Sequence, residues 1–357
     1  MGTLDEGIYD SRKDIRLIAT GSASPVLEKG SADSGTGRWS VLKIPTMSFY
    51  EYCRLLDLDL PLLPDDLRLS ELKSMSPAEL GDLMDQFTPL QNHFNRYLMI
   101  GGFPELVLSD DDAYAQRMLR EDVVDKVIKR DVLSLFNIRS PFLMEKLFLY
   151  LCMNSTEIFN ATTAAKELEN TSVTTIESYI KALEMSNLIY LAKPVDVGSK
   201  GALKGKPKIF IADAAIRNAV LMIDDVLSDE KELGAMVEAT VYKHMVSFYQ
   251  GSPANLGYFR KAKDNQKEVD VVVELPRQKI LCEVKYRNNS HIAAADAIVE
   301  LCQDEKSKVT DAFLITKRLD DFGTTKHETK VPILRVPATA FLYLLGKAEA
   351  EGQNGKL

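Results

Sequence analysis

The chain has 357 residues, of which 45% are hydrophobic and 27% are charged, and its net charge at pH 7 is −8. With a prior of about 150 residues per domain, this length accommodates two or three domains with their own cores. The composition excludes a fibrous or disordered protein, and no apolar run is long enough to span a membrane. An acidic total does not favour broad binding to phosphate backbones, although a local basic patch is compatible with it.

The spacing of the cysteines and the composition of the N-terminus indicate the cellular compartment of the protein. The four cysteines are far apart and form no CxxC pair, which argues against a zinc site and favours reduced thiols. Met1–Asp10 lacks the apolar core of a secretory signal. Together these features predict a cytoplasmic protein.

The first part of the chain is predicted to be mostly helical, after short strands at Arg16–Thr20 and Val41–Pro45. Ser48 is a candidate N-cap for the first helix. The string Gly101–Glu105 (GGFPE) cannot continue a helix and predicts a turn, because its glycines allow positive φ. Helices are predicted over Met47–Leu56, over Pro77–Leu108 on both sides of that turn, and over Asp111–Leu135.

The middle of the chain has the pattern of a winged helix: three helices, then a two-stranded hairpin with a lysine-rich loop. The helices are predicted at Phe142–Met153, Ala161–Leu168 and Val173–Met185, and the strands at Leu188–Leu191 and Lys208–Ala212. DNA docking would use the third helix and the loop, through Thr174, Thr175, Ser178, Lys181, Lys200, Lys204 and Lys206. The alternative is a protein-interaction or spacer module, because Glu177 and Glu184 on the same helix would repel phosphate.

The last part of the chain alternates helices and strands, which predicts an α/β unit. The predicted helices are Glu232–Tyr249, His291–Cys302 and Ala338–Leu345. The predicted strands are Leu256–Lys261, Glu268–Leu275, Lys279–Tyr286, Ala312–Thr316 and Val331–Val336, with turns at Lys263–Gln266 and Pro276–Gln278.

Acidic residues on two neighbouring strands form the strongest chemical pattern. Side chains alternate along a strand, so Glu268 and Asp270 share one face, as do Glu283 and Lys285 on the next strand. A hairpin turning at Pro276 would put Asp270 opposite Glu283, with Cβ atoms about 5 Å apart. Carboxylates that close repel each other, and Mg²⁺ would relieve the conflict. The alternative is a solvated edge with a weak Glu268–Lys285 ion pair.

The same residues resemble the PD-(D/E)XK nuclease superfamily, which carries an acid on a helix, an Asp on one strand and E-x-K on the next. Glu238, Asp270, Glu283 and Lys285 match in order and spacing, whereas Val269 replaces the usual proline. The resemblance implies a Mg²⁺ site at Asp270 and Glu283, with Lys285 and Glu238 completing a catalytic set for metal-assisted phosphodiester hydrolysis.

Short strings at the N-terminus resemble a prokaryotic AAA+-like ATPase family. Leu17–Ser24 ends in T-G-S-x-S, and Gly37-Arg38, the helix from Ser48 and the Gly101–Glu105 turn follow in the family's order. The resemblance implies that Ser22 and Ser24 belong to the sensor strand and that Arg38 takes an arginine-finger-like position. No P-loop, G-x-x-x-x-G-K-[ST], occurs in the chain. ATP is therefore expected only in the intact family, unless Arg38 reaches a neighbour's nucleotide in an oligomer.

This resemblance implies an α/β protein in four parts with a short tail: a partial AAA+ core (1–60), a helical lid and linker (61–135), a winged-helix domain (136–225), a restriction-endonuclease-like domain (226–348) and the tail (349–357). The expected function is that of the C-terminal portion of an AAA+-like ATPase, associated with nucleic acid and carrying a Mg²⁺-dependent nuclease-like site. The alternative is a non-enzymatic protein-interaction module with a degenerate nuclease fold. Nucleic acid, a protein partner or a second copy are the expected partners, and a membrane is not.

Overall fold

The structure, a computed structural model, describes residues 42–64, 67–136, 138–195, 205–223, 225–261 and 264–353, together with Ile18, Thr20 and Leu357. The candidate nucleotide-site residues Ser22, Ser24 and Arg38 lie outside these residues, as do the loop lysines Lys200 and Lys204.

The N-terminal part is helical, as predicted. Helix α1 (Phe49–Leu55) begins at a capping box, in which Ser48 Oγ accepts the N–H of Glu51 and the Glu51 carboxylate accepts the N–H of Ser48. The following helices are α2 (Pro77–Phe87), α3 (Gln91–Ile100), α4 (Pro104–Val107), α5 (Asp112–Glu121) and α6 (Leu133–Phe136), with 3₁₀ turns at Leu69–Ser74 and Thr88–Leu90.

Two expectations in this part are wrong. The predicted strand at 41–45 is not found, because Leu42 and Ile44 are exposed and belong to no strand. Most of the predicted strand at 16–20 lies outside the described residues. The long helix predicted over Asp111–Leu135 is interrupted by a π-helical segment, Asp122–Val132. Such segments are rare and locally widen the helix, which the apolar spacing alone does not reveal.

The turn between α3 and α4 requires both of its glycines. Gly101 has a φ of +76°, and a Cβ at Gly102 would lie 2.3 Å from the carbonyl oxygen of Met47. The two backbones are this close because Met47 N donates to Gly102 O at 2.8 Å. The turn therefore ties the segment before α1 to the end of α3.

The middle of the chain forms three helices and a hairpin: α7 (Pro141–Met153), α8 (Ala161–Glu167), α9 (Val173–Met185), β1 (Ile189–Pro194) and β2 (Lys208–Ile211). Ser140, Asn160 and Ser172 cap the three helices. The strands pair antiparallel, and Ile158, between α7 and α8, forms an isolated bridge to Lys208. An unpredicted helix, α10 (Ala214–Leu221), follows from an Asp213 N-cap.

The C-terminal part contributes most of one mixed eight-stranded sheet. Its elements are α11 (Glu230–Phe248), β3 (Asn255–Lys261), β4 (Asp264–Glu274), β5 (Lys279–Lys285), α12 (Ala297–Gln303), β6 (Val309–Thr316), β7 (Gly323–Thr324), β8 (Ile333–Pro337) and α13 (Ala338–Ala350). The strand order is β2-β1-β3-β4-β5-β6-β8-β7. The β1–β2 hairpin thus extends the same sheet, because β1 pairs parallel with β3.

The starts of two elements in this part differ most from the predictions. Strand β4 begins at Asp264, inside the predicted turn at Lys263–Gln266. Helix α12 begins at Ala297 rather than His291, because the Asp296 carboxylate accepts the N–H of Ala293 and closes a turn there. The turn between β4 and β5 lies where it was predicted, with Leu275 N donating to Gln278 O at 2.9 Å.

The sheet separates two cores. Helices α1, α3, α11 and α13 cover one face with the main core, which includes Val271, Val273 and Cys282. Helix α12 covers the other face with a smaller core that includes Val272 and Leu281. The alternation of these residues along β4 and β5 follows from the two-residue period of a strand.

The close approach at the glycine turn predicts the effect of one methyl group. We expect Gly102→Ala to lower the free energy of unfolding by about 1–3 kcal/mol, because the added Cβ must displace the Met47 backbone. The measurement is chemical denaturation followed by circular dichroism.

Gly234 provides the matched control, because it lies in α11 with no atom within 4 Å of an added Cβ. Gly234→Ala should leave stability unchanged or raise it by less than about 1 kcal/mol. Equal losses in both variants would contradict the steric argument.

Candidate functional site

A β-bulge in β4 positions Asp270. Gly257 of β3 pairs with Val272 and Phe259 pairs with Val269, so two residues of β4, Asp270 and Val271, lie opposite Tyr258. The packing of β4 is consistent with a bulge, because Val269 and Val272 both lie in the smaller core. In a regular strand, side chains three residues apart would lie on opposite faces of the sheet. Bulges of this kind change the direction of a side chain next to a site.

Lys208 of β2 reaches the centre of the acidic residues on α11 and β4. Its Nζ lies 3.0 Å from Glu238 Oε1 and 3.6 Å from Asp270 Oδ1, and it also forms an ion pair with Glu268. Only 3% of Lys208 is exposed. We call Lys208, Glu238, Glu268, Asp270, Glu283 and Lys285 the acid cluster.

The carboxylates keep the Lys208 ammonium charged. Burial by itself would lower the pKa of Lys208, but the charges of Glu238, Asp270 and Glu268 outweigh it and raise that pKa. A buried ammonium without partners would be strongly unfavourable. Lys208 therefore contributes a fixed positive charge to the acid cluster.

Glu283 is the most deeply buried acid of the cluster, at 7% exposure. Its Oε1 accepts a hydrogen bond from Lys285 Nζ at 2.5 Å, whereas its Oε2 is buried without a hydrogen-bond partner. Asp270 Oδ2 accepts the N–H of Val284 at 2.9 Å, so a side-chain carboxylate of β4 accepts a backbone hydrogen bond from β5.

Burial has the largest effect on two of the acids. Burial, together with the nearby charge of Asp270, raises the pKa of Glu283 to about 8, against the effect of Lys285. Burial also raises the pKa of Glu238 to about 8, although Lys208 opposes this. Both groups therefore exchange protons near neutral pH, which is typical of functional sites but also occurs in structural ion-pair networks.

The structure brings together the four residues of the expected nuclease set, Glu238, Asp270, Glu283 and Lys285. The alternative pair, Glu268 with Lys285, does not form, because Glu268 binds Lys208 and Lys285 binds Glu283. The paired register of β4 and β5 ends at Val271 opposite Cys282, and the bulge begins there.

The role of Lys208 was not predicted from the sequence. Lys208 was predicted only as the first residue of the strand Lys208–Ala212, although a single lysine opening the apolar run Lys208-Ile-Phe-Ile211 is an unusual feature of a buried strand. That feature predicts a buried charge, but only the fold identifies its partners.

The acid cluster does not fit a divalent cation while Lys208 remains in place. Among the described residues, no group of three His, Cys, Asp or Glu side chains has the geometry of a metal site. The Lys208 ammonium lies between Glu238 and Asp270, and Asp270 is one of the two expected metal ligands. The carboxylates are thus already partly neutralised.

The third helix of the middle part, α9, exposes Thr174, Ser178 and Lys181 together with Glu177. Thr175 is half-buried, and its Oγ1 lies 2.7 Å from Ser172 Oγ in the helix cap. Lys206 is exposed at the end of the loop. This face carries both signs of charge, so DNA docking by it stays a prediction.

A second buried polar group joins the segment before α1 to the rest of the protein. Lys243 of α11 donates to Met47 O at 2.7 Å and to the Tyr97 hydroxyl at 2.9 Å. Asp213 accepts from Thr46 Oγ1 at 2.6 Å and from Gly102 N at 3.1 Å. His244 Nε2 accepts the first N–H of α1, from Phe49, at 3.0 Å.

Comparison with protein families supports an AAA-like, ATPase-associated family that carries domains of unknown function. Residues 6–53 match a family described as an AAA domain. Residues 91–227 match a domain of unknown function (DUF8612), and residues 233–336 match another (DUF4143), which contains Glu238, Asp270, Glu283 and Lys285.

Individual relatives are uncharacterized proteins of bacteria and an archaeon. One from Haemophilus influenzae is 25% identical over 205 residues, covering 56% of this chain and 44% of the relative. One from Methanocaldococcus jannaschii is 25% identical over 278 residues, covering 76% of this chain and 56% of the relative. One from Mycobacterium tuberculosis is 26% identical over 214 residues, covering 58% of this chain and 46% of the relative.

The chain spans about half the length of these curated relatives. No solved structure matches it. Within the described residues, no helix is both long enough and apolar enough to cross a membrane.

The acid cluster predicts that removing its central charge is costly. We expect Lys208→Met to lower the free energy of unfolding by about 3–5 kcal/mol, because the buried carboxylates lose their counter-charge. Lys206→Met removes a nearby exposed lysine and should change stability by less than about 0.5 kcal/mol. Equal unfolding midpoints for the two variants in urea would show that Lys208 is not essential to the cluster.

The raised acid pKa values predict how stability depends on pH. Folding moves the pKa of Glu283 from 4.5 to about 8, so the folded state holds more protons within that window. Stability is therefore full below about 4.5 and falls as the pH rises through about 8, by at most about 1.4 kcal/mol per pH unit for one group.

Glu283→Gln should reduce this dependence to the part that Glu238 contributes, because the amide cannot ionise, and the exposed Glu177→Gln should preserve it. Urea unfolding at several pH values measures both. A slope of the opposite sign in the wild type would contradict the assignment.

Proposed function

We propose that this chain is a binding module of an AAA-like, ATPase-related protein, in which a nuclease-like fold serves for interaction and not for cleavage. The observation that carries the proposal is the position of Lys208. Its buried ammonium lies between Glu238 and Asp270, and so pairs with one of the two carboxylates that a nuclease of this type would use for metal. The site is therefore neutralised from within the chain.

The nuclease-like character of the fold rests on the order of elements and on the residues. Helix α11 precedes three antiparallel strands, β3 to β5, which are followed by α12 and by the parallel strand β6. An acid on the helix, an aspartate on the middle strand and E-x-K on the next strand resemble the PD-(D/E)XK arrangement. This resemblance supports a common fold.

The middle part supports an interaction role by its winged-helix-like arrangement. The Ile158–Lys208 bridge adds the short strand that winged helices carry between their first two helices. Strand β2 then brings Lys208 into the acid cluster, so the hairpin and the nuclease-like part form one structure. A module held together in this way presents a rigid surface to a partner.

A metal-dependent nuclease acting on nucleic acid is the second candidate. It is favoured by Glu283 Oε2, which is buried without a partner, and by the neighbouring Lys285. In that case Asp270 and Glu283 would hold Mg²⁺, Lys285 would offset charge on the phosphate, and Glu238 would support them. Lys208 would first have to leave the acid cluster.

Metal titration separates the two candidates. We expect calorimetry with Mg²⁺ and Mn²⁺ to give no saturable heat, and we expect no cleavage of single- or double-stranded DNA or RNA. The combined variant Asp270→Ala with Glu283→Ala should behave in the same way. Saturable binding and cleavage in the wild type, both lost in this variant, would replace the binding module with the nuclease.

A further inference from the structure

A cleft of about 590 Å³ lies at the carboxyl ends of the parallel strands β5 and β6. Tyr286 and Asn288 line it just after β5, and Lys317 and Leu319 line it just after β6. Helices α2 and α3 form the opposite wall. Ligands of open α/β sheets commonly bind at such strand ends, and the volume suits a small molecule.

The charges in this cleft leave one cation available. Arg318 forms a two-point ion pair with Asp320, with Nε 2.8 Å from Oδ1, so these two side chains neutralise each other. Lys317 is half-buried and has no hydrogen-bond or ion-pair partner among the described residues. A partly desolvated lysine attracts an anion more strongly than a fully solvated one.

The rest of the lining combines an apolar surface with neutral hydrogen-bonding groups. Met84, Leu227, Leu233 and Leu319 provide the apolar surface. The side chain of Asn288 is likewise without a partner among the described residues, and its amide can donate to an oxygen.

A second cleft of about 420 Å³ shares Met84, Leu319 and Asp320 with the first. Its other lining residues are largely apolar and include Leu72, Leu80 and Phe322. An apolar chain whose head group is at Lys317 can therefore continue past Leu319 into this second space.

We propose that the two clefts form one binding site for a small amphipathic anion. The carboxylate or phosphate head group binds Lys317 and Asn288, and the apolar tail lies along Met84 and Leu319. The site is separate from the acid cluster and does not depend on the function proposed for that cluster.

Three probes with the same eight-carbon tail test the site: nonanoate, octyl phosphate and octanol. We expect saturable binding of at least one anion in calorimetry, and binding of octanol weaker by on the order of tenfold because it lacks the charge. The stronger of the two anions identifies the head group as carboxylate or phosphate.

Two lysine variants locate the head group. Lys317→Gln should weaken binding of the anions by on the order of tenfold, and Lys326→Gln, at an exposed lysine outside the clefts, should leave it unchanged. Leu319→Ser should weaken binding of both anions through the tail. Unfolding midpoints of all variants verify that they are folded.

Absence of saturable binding for both anions would overturn the proposal, as would unchanged affinity in Lys317→Gln. The Asp270→Ala with Glu283→Ala variant should bind the probes like the wild type. A failure here therefore leaves the binding-module proposal standing, and metal binding at the acid cluster would leave this proposal standing.

Discussion

The ion-pair network of Lys208 connects three parts of the fold that are far apart in the chain. Its partners lie on α11 and β4, while Lys208 itself belongs to the hairpin that follows α9. Because the ammonium and the carboxylates are all largely buried, separating the hairpin from α11 would expose unpaired charge in a poorly solvated place. This contact, together with the pairing of β1 with β3, holds the hairpin of the middle part against the rest of the sheet.

A comparable network fixes the segment that precedes α1. Lys243 and Asp213 hold the backbone around Met47 and the glycine turn, and His244 caps α1. Burial, together with the charge of Lys243, lowers the pKa of His244 to about 3, so this histidine stays neutral and can accept the Phe49 N–H. The residues matching the AAA domain end within α1, so this network lies where that match passes into the remaining chain.

The two networks differ in how completely their hydrogen-bonding groups are satisfied. In the acid cluster, Glu283 keeps a carboxylate oxygen without a partner, and the acids respond to pH near neutrality. Around Met47, donors and acceptors are matched, with Asp213 alone accepting three hydrogen bonds. Incompletely satisfied groups are where ligands, protons or motion act, whereas satisfied groups hold the fold in place.

The sequence alone determined the local elements and the chemical identity of the acidic residues. Ser48, the Gly101-Gly102 pair and the alternation along β4 and β5 depend on contacts within a few residues, so the capped helix, the turn and the hairpin were predictable. The bulge at Asp270, the π-helical segment and the role of Lys208 were not. The bulge and the role of Lys208 depend on residues distant in the chain: Tyr258 opposite the bulge, and Glu238 and Glu268 around Lys208. Only the tertiary structure decided that a lysine, 30 residues before its partner Glu238, lies among the carboxylates, because burial forces every charge there to find an opposite one.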